Sequence, residues 1–112
     1  MPRNMSFAMT ASQILAGTKT ITRRFGWWKL QPGDDLWAVE KSMGLKKGEK
    51  VKKLRKIRIM VVGLEPLNAI TADDCAREGF PEMSPPDFVA MLCRHYKCQP
   101  DKIVNRIEFY YL

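Results

Sequence analysis

The chain has 112 residues, of which 46% are hydrophobic and 28% charged, and it carries three cysteines and a formal net charge of +7. This length and composition predict one globular domain over residues 1–112. No apolar run reaches the roughly 18 residues of a membrane-spanning helix, and polar residues interrupt the N-terminal apolar stretch where a signal peptide would be continuous. With an odd number of cysteines arguing against a disulfide framework, we expect a cytoplasmic protein that has no contact with a membrane.

The charge is unevenly distributed along the chain. Residues 1–58 sum to +10, whereas residues 59–112 sum to −3. A basic half of this kind indicates a polyanionic partner or a charged substrate.

Local patterns predict short elements in the first half of the chain. Residues 9–19 predict a helix that begins near Thr10 and ends at Gly17, a residue suited to the left-handed conformation after a helix. Residues 19–25 and 31–40 have strand character, and a Pro-Gly turn precedes the second of these strands.

The longest strand signal lies at residues 54–64. Ile57, Ile59 and Val61 alternate with Lys56, Arg58 and Met60, so we expect one apolar face and another face that is basic at its start.

The remaining elements complete an α+β pattern. Residues 68–80 predict a helix with Thr71 as its cap and Gly79 as its stop, residues 84–96 predict a second helix, and residues 103–112 predict a final strand. Four or five strands and two or three short helices, without regular alternation of long helices, predict a small mixed β-barrel with helices packed around it.

Two motifs of known chemistry are absent. A phosphate-binding loop requires glycines where this chain has Gln13 and Thr18. On a continuing helix, Cys93 and Cys98 would be about 140° apart, and no second pair of ligands is evident. We therefore expect neither a metal nor a cofactor.

The basic stretch at residues 46–58 carries eight cations against one glutamate. It is a candidate for contacts with a nucleic-acid backbone, where neutralised phosphates release counterions. The alternative is a solvated sheet edge that lysines protect from aggregation. The candidate residues are Lys46, Lys47, Lys50, Lys52, Lys53, Arg55, Lys56 and Arg58.

Aromatic residues near the basic half are further candidates. Trp27 and Trp37 could stack on a base, although a tryptophan in a small domain often belongs to the core. Glu78 ends a short helix, and a lone glutamate is usually a surface residue. It becomes a site candidate if the fold brings it to the cations of residues 18–24.

Four segments in order resemble the ASCH domain: residues 14–24, 31–40, 70–80 and 107–112. The resemblance extends from about Met5 to Leu112 and is strongest to short ASCH proteins of bacteria and their phages. It implies a barrel similar to that of the PUA superfamily, with RNA or nucleotide binding in a cleft lined by the Gly-Thr-Lys-Thr strand. The ligand-binding candidates are Thr20, Arg23, Arg24, Trp27 and Trp37.

One bacterial branch of this family hydrolyses the amide of N4-acetylcytidine. Similarity to that branch implies Thr22 as nucleophile, Lys19 as proton acceptor and Glu78 as proton donor. The chain departs from it at Arg23, where that branch tends to be apolar, and by the basic stretch.

Strand geometry sets a condition on this catalytic assignment. Lys19 and Thr22 are three residues apart, so a regular strand would point them to opposite faces, whereas Thr20, Thr22 and Arg24 would share one face. We therefore predict that Gly17 has a positive φ and that the strand begins after Lys19.

Three functions are consistent with the sequence. The first is binding of RNA or a modified nucleoside. The second is enzymatic: amidohydrolysis of N4-acetylcytidine-type nucleosides, or ribonuclease activity. The third is a basic inhibitor that binds an acidic host protein. The oligomeric state stays open.

Overall fold

The computed structural model describes residues 3–41 and 47–112. The strands and helices are β1 Arg3–Ser6, α1 Ala11–Ala16, β2 Ile21–Arg24, β3 Asp35–Val39, β4 Lys53–Pro66, α2 Ala72–Arg77, α3 Pro85–Tyr96 and β5 Ile103–Tyr111. Short 3₁₀ turns lie at Ala8–Thr10 and Leu67–Ala69. The predicted α+β class is confirmed. No local pattern predicted β1, which has four residues and one buried side chain, Met5.

The five strands form one mixed sheet in the order β1-β3-β4-β5-β2. β1 is parallel to β3, and the other neighbours are antiparallel. Within the described residues, β1 and β2 are the two edge strands and do not pair with each other. The predicted closure into a barrel is therefore not observed. Both edge strands have only four residues, and α2 and α3 lie beside β2, as the contact of Phe25 with Tyr96 shows.

A bulge in β4 changes which side chains face the core. Ile57 and Ile59 are buried as predicted, but Val61 is exposed. The pairing of β4 with β5 shifts between Ile59 and Val61, which leaves Met60 as an extra residue. Such a residue reverses the alternation, so the prediction that Val61 faces the core is wrong.

Two hydrophobic clusters lie on opposite faces of the sheet. The first joins α1 to the sheet and consists of Met5, Phe7, Ile14, Leu30, Leu36, Ala38, Ile57, Ile59, Ile107 and Phe109. The second joins α2 and α3 to β5 and consists of Leu67, Ile70, Cys75, Phe88, Val89, Leu92 and Val104. Val104 and Ile107 are an odd number of positions apart on β5, which explains how one strand contributes to both clusters.

The starts of α2 and α3 follow the sequence signals, whereas Thr10 precedes α1 without a side-chain cap hydrogen bond. The Thr71 hydroxyl accepts a hydrogen bond from the Asp74 amide, and the Ser84 hydroxyl accepts one from the Asp87 amide. Gly79 ends the α2 segment with φ 100°. None of the helices in segments 3–41 and 47–112 is long and apolar enough to cross a membrane.

Candidate functional site

The turn between α1 and β2 places Lys19. Gly17 ends α1 with φ 76°, and its amide donates to the Gln13 and Ile14 carbonyls. β2 begins at Ile21, so both predictions about this turn are confirmed. The Tyr111 hydroxyl donates to the Lys19 carbonyl and ties the turn to β5.

Lys19 forms a buried ion pair with Glu78. Its Nζ lies 2.6 Å from Glu78 Oε1 and 2.8 Å from the Glu78 carbonyl oxygen, and both side chains are 4% exposed. Burial lowers the pKa of Lys19, and the charges of Arg24 and Arg23 act in the same direction, while Glu78 opposes them. The site thus holds a lysine whose neutral form is easier to reach than in water.

Arg23 reaches the other oxygen of the Glu78 carboxylate. It pairs with Arg106 in the register of β2 and β5, so its side chain leaves the sheet on the face that carries α2. Its Nη1 lies 3.2 Å from Glu78 Oε2, and its Nη2 lies 2.6 Å from Asp74 Oδ2 and 2.9 Å from Glu65 Oε2. The Glu78 carboxylate is therefore held between two buried cations.

A second set of ion pairs, centred on Arg106, holds the Asp74 carboxylate that Arg23 contacts. Arg106 donates to both oxygens of Asp74, at 2.8 and 3.1 Å, and to Glu108 at 2.9 Å. Arg77 donates to the other oxygen of Glu108. The bonds from Arg106, and then those from Arg23, lower the pKa of Asp74 to about 2. This network fixes the position of Arg23 and, through it, that of Glu78.

Thr22 and Arg24 lie on the opposite face of β2. Thr22 pairs with Ile107 of the first hydrophobic cluster, and Arg24 Nε donates to Thr22 Oγ1 at 3.0 Å. The Arg24 guanidinium stacks on the Phe7 ring at 4.6 Å. In the described part of the chain, no hydrogen bond engages its two terminal nitrogens, so they are available to a ligand oxygen.

These side chains meet at a pocket of about 260 Å³. Its polar end and its apolar wall consist of Ser6, Phe7, Ala8, Met9, Thr10, Lys19, Thr22, Arg23, Arg24, Glu78, Phe80, Phe88, Met91, Leu92, His95 and Tyr96. This volume lies just below the range of about 300–1,000 Å³ that is usual for small-molecule sites.

Thr20 and Trp27, which were predicted to bind the ligand, lie outside this pocket. Thr20 precedes β2 and uses its backbone, its amide donating to the Arg77 carbonyl and its carbonyl accepting from the Phe109 amide. The expected alternation of Thr20 with Thr22 does not apply, because Thr20 precedes the regular strand. Trp27 lies in the following loop with φ 59°, where Arg3 stacks on its ring at 5.1 Å.

Trp37 lies in the middle of β3, away from the pocket lining. It is opposite Lys56 in the register of β3 and β4, and Lys53 Nζ is 4.8 Å from its ring centre. The structure therefore groups Trp37 with the basic stretch rather than with Lys19 and Thr22.

The basic stretch forms a surface separate from the pocket. Lys46 lies outside the described residues, and the exposed side chains are those of Lys47, Lys50, Lys52 and Lys53. Arg55 stacks on the Tyr111 ring at 4.1 Å, whereas Lys56 and Arg58 lie on the other face of β4. Strand alternation therefore divides the basic residues of β4 between two faces of the sheet.

The sequence did not predict that residues of α3 line the pocket. The pattern of residues 84–96 predicts a helix with an apolar face, but Phe88 and Tyr96 are separated by two turns and only the packed helix shows that both reach β2. The helix ends at Tyr96, and Lys97 has φ 53°, so Cys98 Sγ returns to 3.9 Å from Cys93 Sγ. The angle expected for a continuing helix therefore does not apply.

Comparisons with known proteins place the fold. No family model matches the sequence, and no curated protein matches it either. Among solved structures, an ASCH domain from Lactobacillus crispatus JV V101 is similar with a TM-score of 0.64 and 19% identity over 97% of this chain and 78% of that one. Protein EF3133 from Enterococcus faecalis V583, described by the family model DUF984, has a TM-score of 0.64 and 16% identity over 100% of this chain and 76% of that one.

A third solved structure is similar over its whole length. The hypothetical protein PH0355 has a TM-score of 0.67 and 16% identity, and the alignment covers 100% of both chains. At sequence identities of 16–19%, these structural similarities show the fold alone. The chain has an ASCH-like fold, an α+β arrangement of a five-stranded mixed sheet and three short helices.

Proposed function

We propose that this protein binds a single nucleoside, either free and modified or as an unpaired residue of RNA, in the pocket beside β2. The observation that carries the proposal is the arrangement of the pocket itself. Lys19, Glu78 and Arg23 form a buried charged end, Thr22 and Arg24 add hydrogen-bonding groups, and an apolar wall faces them.

This arrangement suits the two chemical surfaces of a nucleobase. Each oxygen of the Glu78 carboxylate already accepts one hydrogen bond from a cation, and the remaining lone pairs can accept from an amino or imino group of a base. The free nitrogens of Arg24 can donate to a carbonyl or phosphate oxygen. Aromatic side chains such as Tyr96 offer an apolar surface to the base plane.

Binding is tested by titration calorimetry with cytidine, N4-acetylcytidine, uridine, adenosine and guanosine. We expect at least one nucleoside to bind, and Arg24→Met to weaken its binding about tenfold or more, because a hydrogen bond to a charged group contributes about 1.5–3 kcal/mol. The matched control is Lys29→Met, since Lys29 is exposed and lies outside the pocket. Absence of binding by all five nucleosides and by unpaired RNA would refute the proposal.

A second candidate function is hydrolysis of an N4-acylated cytidine. It is supported by the lowered pKa of Lys19, because an amine that loses its proton more readily can act as a base toward a threonine hydroxyl. Thr22 lines the same pocket and accepts a hydrogen bond from Arg24, which stabilises negative charge on its oxygen.

The hydrolase is tested by following cytidine release from N4-acetylcytidine by chromatography. We expect turnover by the native protein and a loss of at least about 100-fold in Thr22→Val, since the nucleophile is removed while the shape is kept. Thr18→Val is the matched control, because Thr18 is exposed and outside the pocket. Equal turnover by the two variants would remove the assignment of Thr22, and no turnover by the native protein would leave binding alone.

A further inference from the structure

One face of β3, β4 and β5 carries aromatic and basic side chains together. Asp35 pairs with Arg58 and Trp37 pairs with Lys56 across β3 and β4, and Arg58 pairs with Tyr110 across β4 and β5. Cross-strand partners lie on the same face of a sheet, so these five side chains share one face. We call Asp35, Trp37, Lys56, Arg58 and Tyr110 the sheet platform.

The sheet platform is partly open to solvent: Tyr110 is exposed, and Asp35, Trp37, Lys56 and Arg58 are half-buried. The alternate residues of the same strands, Leu36, Ile57 and Phe109, are buried on the opposite face. Tyr110 is 43% exposed and the Arg58 side chain 41%. Contacts from α2 reach β5 at Arg106 and Glu108, before the platform begins.

Cations surround the two aromatic rings of the sheet platform. Lys53 Nζ lies 4.8 Å from the centre of the Trp37 ring, and Arg58 donates to both oxygens of Asp35 at 2.7 and 3.0 Å. Lys56 lies close enough to Asp35 for its charge to help lower the pKa of that carboxyl, after the larger effect of the hydrogen bonds from Arg58. Lys53, Lys56 and Arg58 nevertheless outnumber this one carboxylate, so the positive charge is in excess. Aromatic rings and an excess of cations are the two components that sequence-tolerant binding of single strands requires.

We infer that the sheet platform binds an unpaired RNA strand, with bases stacked on Trp37 and Tyr110 and phosphates near Lys53 and Lys56. The excess charge of +10 in residues 1–58 complements a polyanion. A duplex keeps its base faces stacked on one another, so rings on an open sheet favour an unpaired strand. β3 and β5 are two strand spacings apart, about 9–10 Å, which lets one extended strand contact both rings.

This surface is independent of the pocket. Thr22 pairs with Ile107, whose side chain lies on the core face of β5, whereas Tyr110 lies on the other face of the same strand. No platform residue lines the pocket. The inference therefore goes beyond the proposed nucleoside binding and stands on other residues.

The test uses a fluorescein-labelled oligouridine of about 12 nucleotides, within the usual site size of a single-strand binder. Fluorescence anisotropy gives its affinity for the full chain over a salt series. We expect Trp37→Leu to weaken binding about 5- to 150-fold, which corresponds to the loss of one stacked base. The matched control is Trp28→Leu, because Trp28 is 55% exposed, lies off the platform and should leave the affinity unchanged.

The phosphate contacts are tested by the salt dependence. The double variant Lys53→Gln, Lys56→Gln should reduce the slope of log K against log salt by about 1.4, since each contact with a single strand contributes about 0.7. Lys29→Gln, Lys102→Gln removes the same charge elsewhere and should leave the slope closer to the native value. If Trp37→Leu yields no folded protein, the oligouridine affinity of Tyr110→Ser replaces it as the test. The Tyr110 ring is at the surface, so its removal should not prevent folding.

Three outcomes would overturn the inference. One is the absence of oligouridine binding at low salt. Another is equal affinity of the Trp37→Leu and Trp28→Leu variants. The third is competition by polyglutamate as effective as that by unlabelled oligouridine, which would identify a surface for acidic proteins. Trp37→Leu also separates this site from the pocket, because Trp37 does not line the pocket and the variant should keep the native affinity for a nucleoside.

Discussion

Two cationic regions of this molecule have the same residue types and opposite environments. Lys19 and Arg23 have side chains that are 4% and 0% exposed, and each contacts the Glu78 carboxylate. Lys52 and Lys53, at the start of β4, are exposed, and Lys52 Nζ lies 3.5 Å from Glu40 Oε2.

The difference shows what each charge can do. A buried charge persists only with partners, and removing one partner leaves another charge uncompensated in the interior. An exposed charge is screened by salt and contributes little to stability, but it adds to the long-range field that attracts a polyanion. We therefore expect the buried cations to depend on their partners for stability and the exposed cations to act mainly through their long-range field.

The largest expected effect comes from removing the charge of Glu78. In Glu78→Gln, Lys19 and Arg23 both lose a carboxylate in the interior, and we expect the free energy of unfolding to fall by about 3–5 kcal/mol. Urea denaturation measures this change. Glu40→Gln is the matched control, since the same chemical change at an exposed pair should alter stability by less than about 1 kcal/mol. Similar losses in the two variants would break the distinction between buried and exposed charges.

A smaller effect is expected from Gly79→Ala, which disturbs the backbone next to Glu78 without removing a charge. Gly79 has φ 100°, and an added Cβ would lie 2.8 Å from Gln13 Cγ, so both strain and a close contact arise. We expect a loss of about 1–3 kcal/mol by urea denaturation, together with weaker nucleoside binding. Gly33→Ala is the control, because Gly33 has φ 93° with open space around it. If both variants lose the same stability, the contact with Gln13 has no effect.

Acid should weaken the network behind Glu78. The pKa of Asp74 is about 2 in the folded chain, against about 4 when unfolded, so its stabilising contribution is complete above pH 4 and is lost as the pH falls toward 2. We expect this contribution to be on the order of 2 kcal/mol, and Asp74→Asn to reduce the pH dependence of the unfolding free energy by that amount. Asp73→Asn, an exposed neighbour on α2, should keep the native pH profile.

Much of the fold could be predicted because its signals are local. The turn at Gly17, the cap at Thr71 and the stop at Gly79 each depend on a residue and its immediate neighbours. The bulge at Met60 had no such signal, because it depends on the register between β4 and β5. Val61 was therefore assigned to the wrong face.

The candidate site was predictable only through the order of its motifs. Similarity to a family brought Lys19, Thr22 and Glu78 together, and the structure places them in one pocket. The pairing of Arg23 with Glu78 and Asp74 joins residues more than 50 positions apart, and no local pattern reports such contacts. Trp37 was grouped with the ligand because it is aromatic, whereas the register of β3 places it beside Lys56.

The smallest expected effect concerns the exposed lysines before β4. The double variant Lys47→Gln, Lys50→Gln lowers the net charge from +7 to +5, and we expect the unfolding free energy to change by no more than about 0.5 kcal/mol. At about 0.01 M salt the change should be stabilising, because the Debye length of about 30 Å lets the remaining cations repel one another. At about 1 M salt the Debye length is about 3 Å, and the difference from the native chain should vanish. Urea denaturation at the two salt concentrations measures both values. A loss of stability that persists at high salt would mean that these lysines make structural contacts, as Lys19 does with Glu78. The buried and exposed regions would then differ only in how much their charges contribute to the free energy of unfolding.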